Sequence, residues 1–176
     1  NYQSWKQTLK LGGKDSLSTK ALMLNHYNYP GSGQLDAFLT PSFYLNDVDS
    51  PKLFFDIAYA KFSSFNYERL KIYVQYSCGE DTVIFNKAGS SLQSISTSKD
   101  YDWYPQPNEW KRWQLDMTNF IGDTIAFRFE IENGYGNNFF IDNIRIVDTF
   151  YINNIATKEI EDIVIYPNPV KDILFI

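Results

Sequence analysis

Cysteine and histidine are almost missing from this chain of 176 residues, each occurring once, as Cys78 and His26. A single cysteine excludes an internal disulfide. A single histidine excludes the helix-borne histidine pair by which zinc peptidases hold their metal. Cys78 and His26 are the only residues from which a thiol nucleophile and an imidazole base could be drawn, and nothing in the sequence places them together. Cys78 reads as a small buried residue at the end of a strand, as free cysteines commonly are, and His26 as a loop or strand-end residue. No run of about 18 apolar residues occurs, so no helix is expected to span a bilayer. Positive charge is not in excess, with 16 Lys and Arg against 21 Asp and Glu. That balance gives no electrostatic footprint for a phosphate backbone, so nucleic acid is not an expected partner. No segment sustains an apolar period of 3.6, which removes amphipathic helices from the prediction. The chain opens on Asn1 without a signal peptide, which is read as a mature product or an excised piece.

What the sequence has in abundance is aromatic residues, with 14 Phe, 13 Tyr and 4 Trp, and these favour strands. Leu53, Phe55, Ile57 and Tyr59 alternate with Phe54, Asp56, Ala58 and Ala60, and Leu70, Ile72, Val74 and Tyr76 alternate with Lys71, Tyr73, Gln75 and Ser77. This period of two predicts strands with one buried face. Residues 109–117 and 124–132 repeat the pattern, while Pro41 places the strand over 35–45 at an edge or bulge, because proline cannot donate to a ladder. The stretch Asn137 to Val147 carries apolar bulk on both faces, with Phe140, Ile144 and Ile146 sharing one face with Asp142 and Phe139 and Ile141 on the other. That pattern predicts a strand in the middle of a packed two-layer structure. Seven to nine antiparallel strands follow, hence an all-β, antiparallel β-sandwich of jelly-roll type.

Three features carry candidate chemistry. Glu130 and Glu132 share a strand face and resemble the paired carboxylates of glycosidases, whose mechanism needs two carboxyl groups about 5–9 Å apart. The further acid that jelly-roll enzymes use along the strand is missing, and two glutamates on an outer face are more simply solvated. The long polar segment 87–108 is read as a surface loop containing Tyr101, Trp103 and Tyr104, with Trp110 just beyond it. These rings could stack on sugar or peptide. The favoured alternative folds the loop back over the sandwich and buries its own rings. Asp142, set among apolar neighbours, requires hydrogen-bond donors or a cation, since an unpaired buried charge is very costly.

The ordered pieces Asp36-Ala37-Phe38-Leu39-Thr40-Pro41, Leu53 to Ala60, Leu70 to Gly79, Trp113 to Asp116 and Asn137 to Ile144 resemble the choice-of-anchor J group of bacterial domains, relatives of MAM and cleaved adhesin domains. Such relatives often carry a structural cation, and Asp36 and Asp142 occupy the acidic positions of the matching motifs. The resemblance therefore implies a calcium site, which needs six to eight hard oxygen ligands. The competing reading has Asp142 bound to backbone amides and Asp36 merely flanking a strand. Further on, Val164-Ile165-Tyr166-Pro167-Asn168-Pro169 through Leu174 resembles the opening of the C-terminal sorting domain of the type IX secretion system of Bacteroidetes. The resulting division is a sandwich over 1–148, a linker over 149–162 and a truncated sorting module over 163–176. The resemblances imply a non-catalytic accessory or adhesive module, secreted or at the cell surface, with an extracellular protein or glycan as partner and the secretion machinery engaged through the C-terminal module. They also imply attachment to a pappalysin-type metallopeptidase. The alternative is a carbohydrate-binding module using Tyr101, Trp103, Tyr104 and Trp110.

Overall fold

A computed structural model describes residues 4–9, 11, 13–14, 20–29, 31–76 and 81–149. Cys78, nearly all of the expected linker and the sorting-like segment lie outside the described residues.

The strands are β1 (Lys6–Leu9), β2 (Lys20–Leu24), β3 (Leu35–Leu39), β4 (Phe43–Tyr44), β5 (Pro51–Tyr59), β6 (Arg69–Tyr76), β7 (Thr82–Ala88), β8 (Lys111–Asp116), β9 (Thr124–Glu132) and β10 (Phe139–Asp148). They form two antiparallel sheets, one ordered β1-β2-β10-β5-β8 and the other β3-β9-β6-β7, with β4 also on β9. The chain is thus an antiparallel β-sandwich of jelly-roll type, as the alternation predicts. Leu53, Phe55, Ile57 and Tyr59 of β5 meet Leu70, Ile72 and Val74 of β6 and Phe127, Phe129 and Ile131 of β9 in the buried layer between the sheets. Phe55 stands edge-on to Phe85 and Phe129, with centroids 5.5 and 5.8 Å apart, while Phe129 stacks on Phe38 at 5.0 Å. Offset and edge-to-face rings at these distances contribute beyond the apolar area they bury.

Pro41 sits where its missing N–H predicts, between β3 and β4 on the edge of the second sheet. Thr40 bridges the gap. Its N–H donates to the Phe127 carbonyl at 3.0 Å, and its hydroxyl oxygen accepts the Phe127 N–H at 2.9 Å. The ladder to β9 therefore loses no buried partner where the strand breaks.

β10 lies between β2 and β5, the central position its two apolar faces predict. Its alternation is not strict, however. Asn143 adopts φ 53° and the register to β5 shifts between Asp142 and Arg145. The extra residue of such a bulge turns the following side chains to the opposite face. Ile144 therefore joins Phe139 and Ile141 in the main core instead of sharing a face with Phe140.

Phe140 faces outward, and a second apolar layer forms around it from Ala21 and Met23 of β2, Ala58 and Ala60 from β5 and its end, and Trp103 and Trp110 from the connection after β7. The alanines leave room for the two indoles. Trp103 and Trp110 are 2% and 5% exposed, and both rings approach Phe140 at 6.2 and 6.4 Å. The connection runs over 89–110, β7 taking in two residues that the loop reading had included. Because these rings roof the sheet, Trp103→Ala is expected to cost about 3–5 kcal/mol and to lower the thermal midpoint by roughly ten degrees. Differential scanning calorimetry checks this, and an unchanged midpoint would place the ring in solvent.

Candidate functional site

Asp142 stands opposite Asp56 in the β10–β5 register, and Asp56 opposite Arg112 in the β5–β8 register. Two neighbouring carboxylates on a covered face need donors, and the chain supplies them from three directions. Arg112 forks Asp56, its Nε 2.8 Å from Oδ1 and its Nη2 2.8 Å from Oδ2. The Asn143 amide donates to Asp56 Oδ2 at 2.8 Å, and so does the Lys14 N–H at 3.1 Å. Asp142 Oδ2 accepts the Gly13 N–H at 2.7 Å. The approach is close, since a Cβ on Gly13 would lie 2.3 Å from the Asn143 amide nitrogen and 2.9 Å from Asp56 Oδ2. Burial alone would push the Asp56 carboxyl up, but Arg112, Asn143 and Lys14 hold it below the usual carboxylate range. The bulge at Asn143 thus turns an amide toward Asp56.

Asp36 lies elsewhere, on β3 opposite Ile131 in the other sheet. Burial pushes its carboxyl up, and the nearby His26 draws it partly back. His26 Nδ1 lies 3.4 Å from Glu68 Oε1, both side chains being fully buried. Gly136 packs directly on the Glu68 carboxylate, since a Cβ there would meet Oε1 at 2.4 Å. Asp36 and Asp142 are thus not brought together by the strand registers. They occupy different sheets, Asp142 takes a backbone amide, and among the described residues no three His, Cys, Asp or Glu side chains are grouped to hold a metal ion.

The outer face of the second sheet is polar. Arg128 lies 3.9 Å over the Tyr73 ring and pairs with Glu130 and, at 3.1 Å, with Asp81. Tyr73 donates its hydroxyl to Glu130 at 3.0 Å, and Arg69 pairs with Glu132 at 3.5 Å. Each glutamate is thus engaged by an arginine.

The candidate binding region is one end of the sandwich, where residues 25–29, 31–34, 60–68, 89–110 and 133–138 converge. Three fully buried asparagines organise it. Asn133 Oδ1 accepts the Tyr135 N–H at 2.8 Å, and Asn138 Oδ1 accepts the Tyr27 N–H at 3.4 Å. Asn137 Nδ2 donates to the carbonyls of Lys99 and Tyr101 at 2.6 and 2.9 Å, while its Oδ1 accepts the Trp103 N–H at 3.3 Å. Of the four aromatic residues expected to bind ligand, Trp103 and Trp110 present no free ring to solvent, whereas Tyr101 and Tyr104 are 52% and 43% exposed. Sequence reasoning missed Asn133, Asn137, Glu68 and Arg112 as organising residues. Their signal was the density of turn-forming residues in Asn133-Gly134-Tyr135-Gly136-Asn137-Asn138, and an aspartate set between Phe55 and Ile57.

The Asp56 cluster yields a signed expectation. Because the folded Asp56 carboxyl titrates below its unfolded value, its stabilisation is present above the usual carboxylate range near pH ~4 and is lost as pH falls through the folded value. Arg112→Met leaves this buried carboxylate without its guanidinium and is expected to cost about 3–5 kcal/mol at neutral pH. The deficit should shrink as pH falls toward the lowered folded value of Asp56, because protonation removes the charge that Arg112 neutralises. Urea unfolding of both proteins across pH checks this, and a pH-independent difference would make Arg112 a packing residue only.

No protein-family model matches the chain, and no curated protein matches it in sequence. Solved structures do match its fold. The K1 cleaved adhesin domain of Lys-gingipain from Porphyromonas gingivalis W83 superposes with a TM-score of 0.55 at 13% identity, over 84% of this chain and 85% of that one. The K3 cleaved adhesin domain of the same protein superposes with a TM-score of 0.50 at 13% identity, over 81% and 90%. A carbohydrate-binding module of Caldicellulosiruptor saccharolyticus, solved with mannohexaose, gives 0.46 at 10% identity, over 82% and 81%. The chain has the β-sandwich fold of the cleaved adhesin domains.

Proposed function

We propose that this chain is a non-catalytic accessory or adhesive module of a secreted, multidomain protein, acting by binding an extracellular protein or glycan. The observation that carries this reading is how the charged groups are used. Asp56, Glu130 and Glu132 are each engaged by an arginine, an arrangement that builds structure. A general acid and base pair needs two carboxyl groups held apart in differing environments. At the loop end, by contrast, Tyr101 and Tyr104 are exposed beside the buried Trp103 and Trp110. The likeness in fold to two adhesin domains supports the reading. Attachment to a pappalysin-type metallopeptidase rests on the choice-of-anchor J resemblance, passage through a type IX system rests on the Tyr166-Pro167-Asn168-Pro169 resemblance, and both belong to the proposal.

A second reading, a carbohydrate-binding module, is favoured by the exposure of Tyr101 and Tyr104, with Trp103 and Trp110 serving as the support beneath them. Binding of the purified chain to immobilised glycans and extracellular matrix proteins, with mass spectrometry of the recovered ligand, tests the function. Saturable, reversible binding with ligand mass unchanged is expected, and progressive conversion of the ligand would overturn the non-catalytic reading.

A further inference from the structure

We infer that the end of the sandwich formed by the 133–138 turn is a binding site for a neutral carbohydrate, built on Tyr27, Tyr67, Tyr101 and Tyr135. The inference rests on the reading of the chain as a binding module and names the ligand class and the surface.

The four tyrosines come from four separate connections, and each is 37–52% exposed. The single segment Asn133 to Asn138 fixes the backbone of every one. Asn133 holds Tyr135, Asn138 holds Tyr27 and Asn137 holds Tyr101 by the hydrogen bonds described above. Gly134 abuts Tyr67 so closely that a Cβ would meet the Tyr67 carbonyl oxygen at 1.7 Å. The Tyr67 ring lies over Gly89, where a Cβ would be 3.2 Å from it. One ring face is thereby seated against the protein. Buried polar side chains that lock exposed aromatic residues in place are the arrangement a preorganised site requires, and tyrosine offers a flat amphipathic surface with little rotamer entropy to lose.

Tyr135 carries a second sign. Its φ is 57°, a left-handed conformation unusual for a bulky residue, which costs of order 1–3 kcal/mol and clusters at ligand-binding sites. Glycine would adopt that conformation without strain, so stability alone does not explain a tyrosine here.

The ligand class follows from the surroundings. Among the described residues of these four connections, the charges that reach solvent are Lys61 and Lys99 against Asp100, Asp102 and Glu109. The balance lacks the single-sign field that would recruit a charged polymer or an anionic membrane. Half-exposed tyrosine rings, each an apolar face with a hydroxyl at its tip, match a pyranose, which presents an apolar face and a rim of hydroxyls.

The test uses the full chain on a printed array of neutral β-glucan, mannan, xylan and N-glycan oligosaccharides. Titration of the best binder then compares the unmodified chain with Tyr135→Gly, Tyr67→Ala and, on the opposite sheet face, Tyr73→Ala. Tyr135→Gly should keep or raise the thermal midpoint while weakening glycan binding at least tenfold. Tyr67→Ala should weaken binding similarly, and Tyr73→Ala should leave it unchanged. Failure of every neutral glycan to bind, or binding indifferent to both loop-end substitutions, overturns the inference. Should the chain instead bind an enzymatically deglycosylated matrix protein, the binding-module reading stands and the carbohydrate assignment is overturned.

Discussion

Two buried amides, Asn137 and Asn138, set the terms for the rest of this sandwich. They stand at the entrance to the central strand of the first sheet. An amide removed from water has to find nearly all of its hydrogen bonds within the protein. The partners available are the backbones of two distant connections, Lys99 to Trp103 and Tyr27, together with the Asp102 carboxylate. Satisfying two side chains thus draws the segment 99–103 over the sheet and seats Trp103 on Phe140. The roof over the outer face, the exposure of Tyr101 beside it and the entry angle of β10 are consequences of one demand.

Much of the fold was legible in the sequence. A period of two in β5, β6 and β9 identifies buried faces, and Pro41 marks an edge through the N–H it lacks. Double-sided apolar bulk marks β10 as a strand in the middle of a packed two-layer structure. Alternation says which face is buried without saying which strand lies alongside, so the pairing of β10 with β2 as well as β5 could not be read. The bulge at Asn143 was equally hidden, because a left-handed asparagine leaves no periodic signature, and the side-chain phase of Ile144 changed with it.

The site was less legible, for a related reason. The apolar neighbours of Asp142 show that it needs a partner, but not that one donor is the N–H of Gly13, far away in sequence. Asp36 and Asp142 look equivalent as motif aspartates, yet one faces a buried imidazole and the other a backbone amide. Among the aromatic residues of the 89–110 connection, composition cannot separate an indole that anchors from a phenol that is displayed. That choice is made by the space above Ala21, Ala58 and Ala60, which only the assembled sheet creates.

The position of β10 also governs the order in which the molecule can be assembled. Without Phe139 to Asp148 the first sheet consists of two unconnected strand pairs, the β1–β2 hairpin and the sequence-distant pair of β5 with β8. The strand edges they would share with β10 are open. Contacts of such long sequence separation form slowly, since loop-closure entropy must be met before they contribute. A chain synthesised from its N-terminus therefore carries two unpaired strand edges at the centre of this sheet until β10 arrives. Closure of the first sheet thus waits on the ten residues of β10, which must insert between two edges already formed.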